Sequence, residues 1–203
     1  MRTMPFLLAA VLAAGLAACS WTRPPVERVS FDLAPARTGP AAGTPDAAVL
    51  KVRPFRVAAP YDNREFLYRM ADGQLVADFY HGFAAGPGEL VTAATVNWLK
   101  ASGRFRSVLE PGISADAPYV LEGAVHALYG DLRDAQRPAA VLEVQVYLVR
   151  AAGDREVVLD RRYAERIALA DGAPAAIAQG YDQALAAVLA RLERDLGALA
   201  LKP

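Results

Sequence analysis

The sequence predicts a single α+β domain in which two amphipathic helices pack on a mostly antiparallel mixed sheet, preceded by a signal peptide and a flexible tether. Two patterns carry this expectation. Several segments alternate apolar and polar residues with the period of a strand, and two longer stretches place apolar residues three or four apart, as a helix requires. The third observation is at the N-terminus, where a short apolar run is followed by a segment rich in Pro, Ala and Gly.

Arg2 gives that terminus a positive charge, and Phe6 to Leu16 form an apolar stretch of the length expected for a signal-peptide core. A spanning helix needs about 20 apolar residues, and here Ser20, Thr22 and Arg23 follow at once. The run ends in Leu16-Ala17-Ala18-Cys19, which resembles the lipobox of bacterial lipoproteins. Residues 1–18 are therefore expected to be removed, leaving 185 residues (203 − 18) with diacylglycerol on the Cys19 thiol and an acyl chain on the new amino terminus. One acyl chain holds a protein only marginally to a membrane, whereas two or more hold it stably. Cys19 is the only cysteine, so no internal disulfide can form. Ser20, rather than aspartate, follows it, which points to the outer membrane and its periplasmic face.

Residues 19–47 contain Pro24, Pro25, Pro35, Pro40 and Pro45 and read as a tether, able to reach on the order of 90 Å at about 3.3 Å per residue. Within it, Val29 to Leu33 alternates as a short edge strand would. The domain is expected over 48–203.

Val49 to Val57 reads as a strand in which Pro54 implies an edge or a bulge. Glu65 to Met70 and Gln74 to Tyr80 flank Ala71-Asp72-Gly73 and read as a hairpin. Pro87 to Ser102 carries a helical stripe of Leu90, Val91, Ala94, Trp98 and Leu99, with Gly103 as its stop. Phe105 to Leu109 is a short strand. Three longer strands follow as a meander: Tyr119 to Tyr129, Val141 to Arg150, and Val157 to Leu169. In the first, Tyr119, Leu121, Val125, Ala127 and Tyr129 are expected on one face, with Glu122 and His126 on the other. Pro174 to Ala200 closes the chain as a helix whose Ile177, Tyr181, Leu185, Val188, Leu192 and Leu196 form a core-facing stripe.

The 22 basic and 22 acidic residues balance, which argues against a general nucleic-acid binder. The only histidines, His81 and His126, have no ligand partners near them in sequence, whereas a zinc site wants three or four. No Gly-x-Ser-x-Gly elbow is present, and Gly86-Pro87-Gly88 lacks the Gly-Lys-Ser/Thr of a phosphate loop. The chain therefore reads as non-enzymatic, without a cofactor. Tyr61, Phe66, Tyr68, Phe79, Tyr80 and Phe83 crowd ahead of the first helix beside charged residues. Tyr61, Arg64, Tyr68, Arg69 and Phe83 are the candidate partner-binding residues, because aromatics and arginine are favoured at interfaces. Cross-strand core pairing of the aromatics is the alternative.

Phe31-Asp32-Leu33, Asn63-Arg64-Glu65-Phe66-Leu67-Tyr68-Arg69, Trp98-Leu99 followed by Gly103-Arg104-Phe105-Arg106-Ser107-Val108, and Tyr119-Val120-Leu121-Glu122-Gly123 occur in that order behind the lipobox. In this order they resemble the ABC-type transport auxiliary lipoproteins, including the paraquat-inducible protein C type. Asn63 stands where that family often has aspartate, and His81 to Pro87 replaces a Trp-Ala-x-Pro-like stretch. The resemblance implies a non-catalytic periplasmic subunit of an MCE-type lipid transport system. Its partners would be an MCE-domain protein and inner-membrane ABC transporter subunits, and self-association would suit docking on a symmetric conduit. A structural lipoprotein assisting outer-membrane or lipopolysaccharide-machinery assembly is the alternative.

Overall fold

The fold is organised around one long strand. The computed structural model describes residues 27–42 and 46–201, so the signal peptide and Cys19 lie outside the described residues. Within them the strands are β1 (Val29–Phe31), β2 (Asp46–Val52), β3 (Arg56–Val57), β4 (Glu65–Arg69), β5 (Leu75–Phe83), β6 (Phe105–Leu109), β7 (Tyr119–Asp131), β8 (Ala139–Arg150) and β9 (Glu156–Ala168). The helices are α1 (Pro87–Ala101) and α2 (Pro174–Gly197).

Along one side, β7 pairs antiparallel with β8, which pairs antiparallel with β9. Along its other side run three short parallel segments in succession: β2 beside Tyr119–Leu121, β3 beside Ala124–Val125, and β4 beside Gly130–Asp131. Pro54 has no N–H to give a ladder, and the strand expected over 49–57 breaks there into β2 and β3. The hydrogen bonds Arg53 N–H to Leu121 O (2.9 Å) and Ala58 N–H to Val125 O (2.9 Å) keep the chain beside β7. Beyond these segments β6 pairs parallel with β2, β5 antiparallel with β4, and β1 parallel with β5. The sheet is thus mixed. Its longest ladders are the antiparallel ones read from the alternation, while the parallel pairings of the short strands have no local signature.

The stripe on α2 packs against β8 and β9, and its six expected residues are all buried with Leu142, Val144, Val146 and Leu148 of β8. Each such aliphatic side chain contributes about 1.5–3 kcal/mol on leaving water. α1 contacts β6, β3 and α2, and Pro87 occupies its first turn, where a missing N–H costs nothing. Gly103 takes φ +64 at its C-terminal stop.

One face assignment is corrected. The β7–β8 register shifts between Val125 and Ala127, so His126 sits in a β-bulge. The extra residue reverses the phase. Leu121, Val125 and Leu128 face the helices, whereas Ala127 and Tyr129 form a second cluster with Leu67 and Val141.

The extent of the expected tether is corrected as well. Residues 29–42, assigned to the tether by composition, lie on the body. Phe31 stacks on Phe66 at 5.4 Å between centroids, and Leu33 is buried. The Ala34 N–H donates to Asp182 Oδ1 (2.8 Å), and Ala42 N–H donates to Ser102 O (2.7 Å). Arg37 donates from Nη2 and Nε to the two oxygens of Glu193 at 2.8 and 3.0 Å. Glu193 Oε2 also accepts from Trp98 Nε1 at 2.7 Å, which ties this N-terminal arm to both helices. Prolines that disfavour regular structure still permit an extended arm when specific side chains are buried beneath it.

The Glu193 carboxyl is held below its usual 4.5, first by the hydrogen bond from Arg37, against desolvation, and further by Trp98. A folded value below the unfolded one stabilises fully above about pH 4.5, and the stabilisation disappears as pH falls through the folded value. Glu193→Ala is expected to cost about 1–3 kcal/mol in urea unfolding at neutral pH, the worth of hydrogen bonds to a charged group, and to flatten the acid limb of the stability curve. An unchanged midpoint would contradict the tie. The Phe55 ring lies where a side chain on Gly123 would stand, 2.1 Å from an added Cβ. Gly123→Ala is therefore expected to destabilise by about 1–3 kcal/mol through overpacking, measurable in the same unfolding experiment.

Candidate partner-binding site

The five expected partner-binding residues separate onto three surroundings. Phe83 is 4 % exposed and packs edge-on to Phe66 (4.7 Å) and against Tyr181 (5.6 Å). Its place is in the core, so the expectation that it faces a partner is corrected: the end of β5 turns its ring under α2. Tyr68 shares the helix-covered face, half-buried, with its hydroxyl donating to Asp78 Oδ2 at 2.7 Å. Burial, then the bond to Asp78, pushes its pKa well above the ordinary tyrosine value. Tyr61 and Arg69 come together on the opposite face. Tyr61 stacks on Tyr129 at 6.0 Å, and the Arg69 guanidinium lies 5.8 Å from the same ring. Arg64 is exposed at the start of β4 and donates to Ala84 O.

A feature absent from that set is built by Asp78. Between Glu65 and Leu67 of β4, two steps are matched by five along β5, from Gly82 to Ala77. The surplus residues bulge outward, and Asp78 clasps them. Its Oδ1 accepts the N–H of Tyr80 (2.8 Å) and of His81 (3.1 Å), while Oδ2 lies 2.7 Å from the Tyr68 hydroxyl and 2.9 Å from His81 Nδ1. Burial alone would raise the Asp78 pKa, but the bonds from Tyr68, Tyr80 and His81 outweigh it and hold the carboxyl below its usual range. The bulge presents Phe79, 63 % exposed, and Tyr80, 43 % exposed, edge to face at 5.3 Å. Arg28 lies over Phe79 at 4.1 Å, and Val29 joins both rings along a shallow groove of about 220 Å³. The usable sequence signal is an aspartate two residues before Tyr80, the spacing of an Asx turn, interrupting a strand pattern.

Two larger concavities flank other elements. One of about 720 Å³ lies between α1 and the Pro54–Val57 segment, with Phe55, Val57 and Val96 among its apolar lining and Asp62 and Glu89 among its charged residues. The other, of about 710 Å³, surrounds Asp131, whose buried carboxylate accepts from Arg133 at 2.7 and 2.9 Å and from Arg166. Those bonds, led by Arg133, hold Asp131 far below the usual carboxylate range. Among the described residues no group of three or more His, Cys, Asp or Glu is placed to hold a metal ion.

Asp78→Ala is expected to cost about 1–3 kcal/mol, since it leaves the Tyr68 hydroxyl and two amides without their acceptor. Hydrogen exchange should accelerate at the Tyr80 and His81 amides while α2 remains protected. Unchanged exchange at those amides would rule out the clasp.

The fold is shared with solved structures of low sequence identity. The chain is similar to protein XCC0632 of Xanthomonas campestris, with a TM-score of 0.68 and 24% identity over 79% of this chain and 91% of that one. It also resembles an uncharacterized protein at TM-score 0.62, with 16% identity over 79% of this chain and 99% of that one. Hypothetical protein CT253 of Chlamydia trachomatis aligns at TM-score 0.53, with 10% identity over 72% of this chain and 96% of that one. No curated protein matches. The family model for the ABC-type transport auxiliary lipoprotein component matches residues 31–193, from β1 into α2. With the greater part of its length matched in this way, the chain belongs to the ABC-type transport auxiliary lipoprotein component family.

Proposed function

We propose that the protein is a non-catalytic periplasmic accessory subunit of an MCE-type ABC lipid transport system. It is anchored through acylated Cys19 at the outer membrane and links the lipid conduit to that membrane. The observation that carries this reading is the family match across residues 31–193, which runs from the last residue of β1 through β2 to β9 and most of α2. The lipobox supports the anchor, because a cysteine with two or three acyl chains stays on its membrane. The sheet face bearing Tyr61 and Arg69 over Tyr129 supports the docking role, as tyrosine and arginine are favoured where partners anchor.

Cross-linking of the tagged full-length protein in its native envelope, followed by mass spectrometry, is expected to recover an MCE-domain protein with its ABC subunits. Joint substitution Tyr61→Ala and Arg69→Ala is expected to weaken that association about thirtyfold, the size of one interface hot spot of about 2 kcal/mol. Recovery of a β-barrel or lipopolysaccharide-assembly partner without MCE or ABC subunits would overturn the proposal.

A further inference from the structure

The Phe79–Tyr80 bulge lies where the chain enters the body from the Cys19 side. Val29 pairs with His81, and Arg28, the residue before it, lies over the Phe79 ring. Because residues 29–42 belong to the body, the length separating Cys19 from it is far shorter than the composition implies. Nine residue steps join Cys19 to Arg28, a span of at most about 30 Å for a fully extended chain. We infer that the ridge formed by Phe79, Tyr80 and Val29 seats on the bilayer that holds the Cys19 acyl chains, as a second contact beside the anchor.

The chemistry of the ridge suits this occupant. Phe79 and Tyr80 are large rings exposed on a strand whose outer edge is unpaired before His81 among the described residues. Aromatic rings settle at the headgroup level, with an apolar body inward and, for tyrosine, a polar tip in water. Arg28 beside them carries the charge that lipid phosphates attract. Trp21 and Arg23 in the connecting residues have the same character in sequence. A short linker also raises the effective concentration of the bilayer at the ridge to the millimolar range, so a contact too weak to bind by itself is occupied once the anchor is in place. Asp78 fixes the backbone that carries the rings by accepting from the Tyr80 and His81 amides.

The inference rests on acylation of Cys19, and the test reads the two separately. The photoreactive residue benzoylphenylalanine is placed at 79, at 80 and, as a control, at 157 in the full-length protein in its native envelope. Val157 is 54 % exposed and lies on β9, at the opposite edge of the sheet. All three positions are exposed, so the substitutions leave the core intact. After irradiation, phospholipid adducts are expected at 79 and 80 at a level several-fold above 157, and a Cys19→Ser form should lose them. Adducts at 79 and 80 to protein alone, or lipid adducts no higher than at 157, would overturn the seating. Mass spectrometry of the N-terminal peptide reports the anchor independently: an unacylated Cys19 would overturn the inference through its premise, and an acylated Cys19 without ridge adducts would overturn the ridge alone.

Discussion

The ion pair between Arg37 and Glu193 is the constraint on which the rest of the structure depends. It is better shielded than an ordinary surface pair, with the two side chains 13% and 24% exposed, and the Trp98 indole joins it. Surface ion pairs are generally worth little. This one gains from its bidentate geometry and from closing a contact between residues 156 positions apart. It fixes the arm to α2 and, through Trp98, α2 to α1. The same arm carries β1 to the edge of β5 and the Phe31 ring onto Phe66. The arm as a whole covers the edge of β5 from His81 to Phe83 and forms one wall of the aromatic cluster of Phe66, Phe83 and Tyr181.

A second consequence concerns β5. The strand is held by β4 on one side and by β1 over only His81 to Phe83 on the other. Edge strands with apolar side chains invite pairing with other chains. Here the Asp78 bulge interrupts the regular ladder and turns two rings outward, so the edge offers a shaped aromatic surface in place of a flat strand template. Local polar chemistry on one carboxylate thereby positions the two rings most exposed among the described residues.

The elements legible in the sequence were those with strong periodicity. The stripes of α1 and α2, the hairpin around Gly73 and the alternation of β8 follow from side-chain spacing, and the structure has them at nearly the same boundaries. Three features depend on contacts that spacing does not encode. The arm beyond β1, whose alternation from Val29 to Leu33 is read as an edge strand, is hidden because Pro and Ala composition describes local stiffness and says nothing about Arg37 meeting Glu193. The bulge at His126 was hidden because one inserted residue shifts the face of everything after it without altering the alternation. Among the partner candidates, Tyr61 and Arg69 meet at the surface, but Phe83 and Tyr68 point to the helix-covered side. Aromatic type alone does not distinguish an interface ring from a cross-strand core ring. Gly123, in the motif Tyr119 to Gly123, has its physical reason in the Phe55 ring that occupies the space beside it.

The chain's place in a transport family, its expected anchor and its exposed surfaces fit together through the length of the linker. With Cys19 as the proposed anchor, an arm bound to the body would keep the β5 ridge near the membrane, whereas a free arm would let the domain range far from it. Hydrogen exchange of the acylated full-length protein in liposomes of phosphatidylethanolamine with a minority of phosphatidylglycerol tests this most directly. The Ala34 and Ala42 amides, which donate to Asp182 and Ser102, are expected to exchange slowly. Exchange across residues 31–42 at the rate of an unstructured peptide would contradict it.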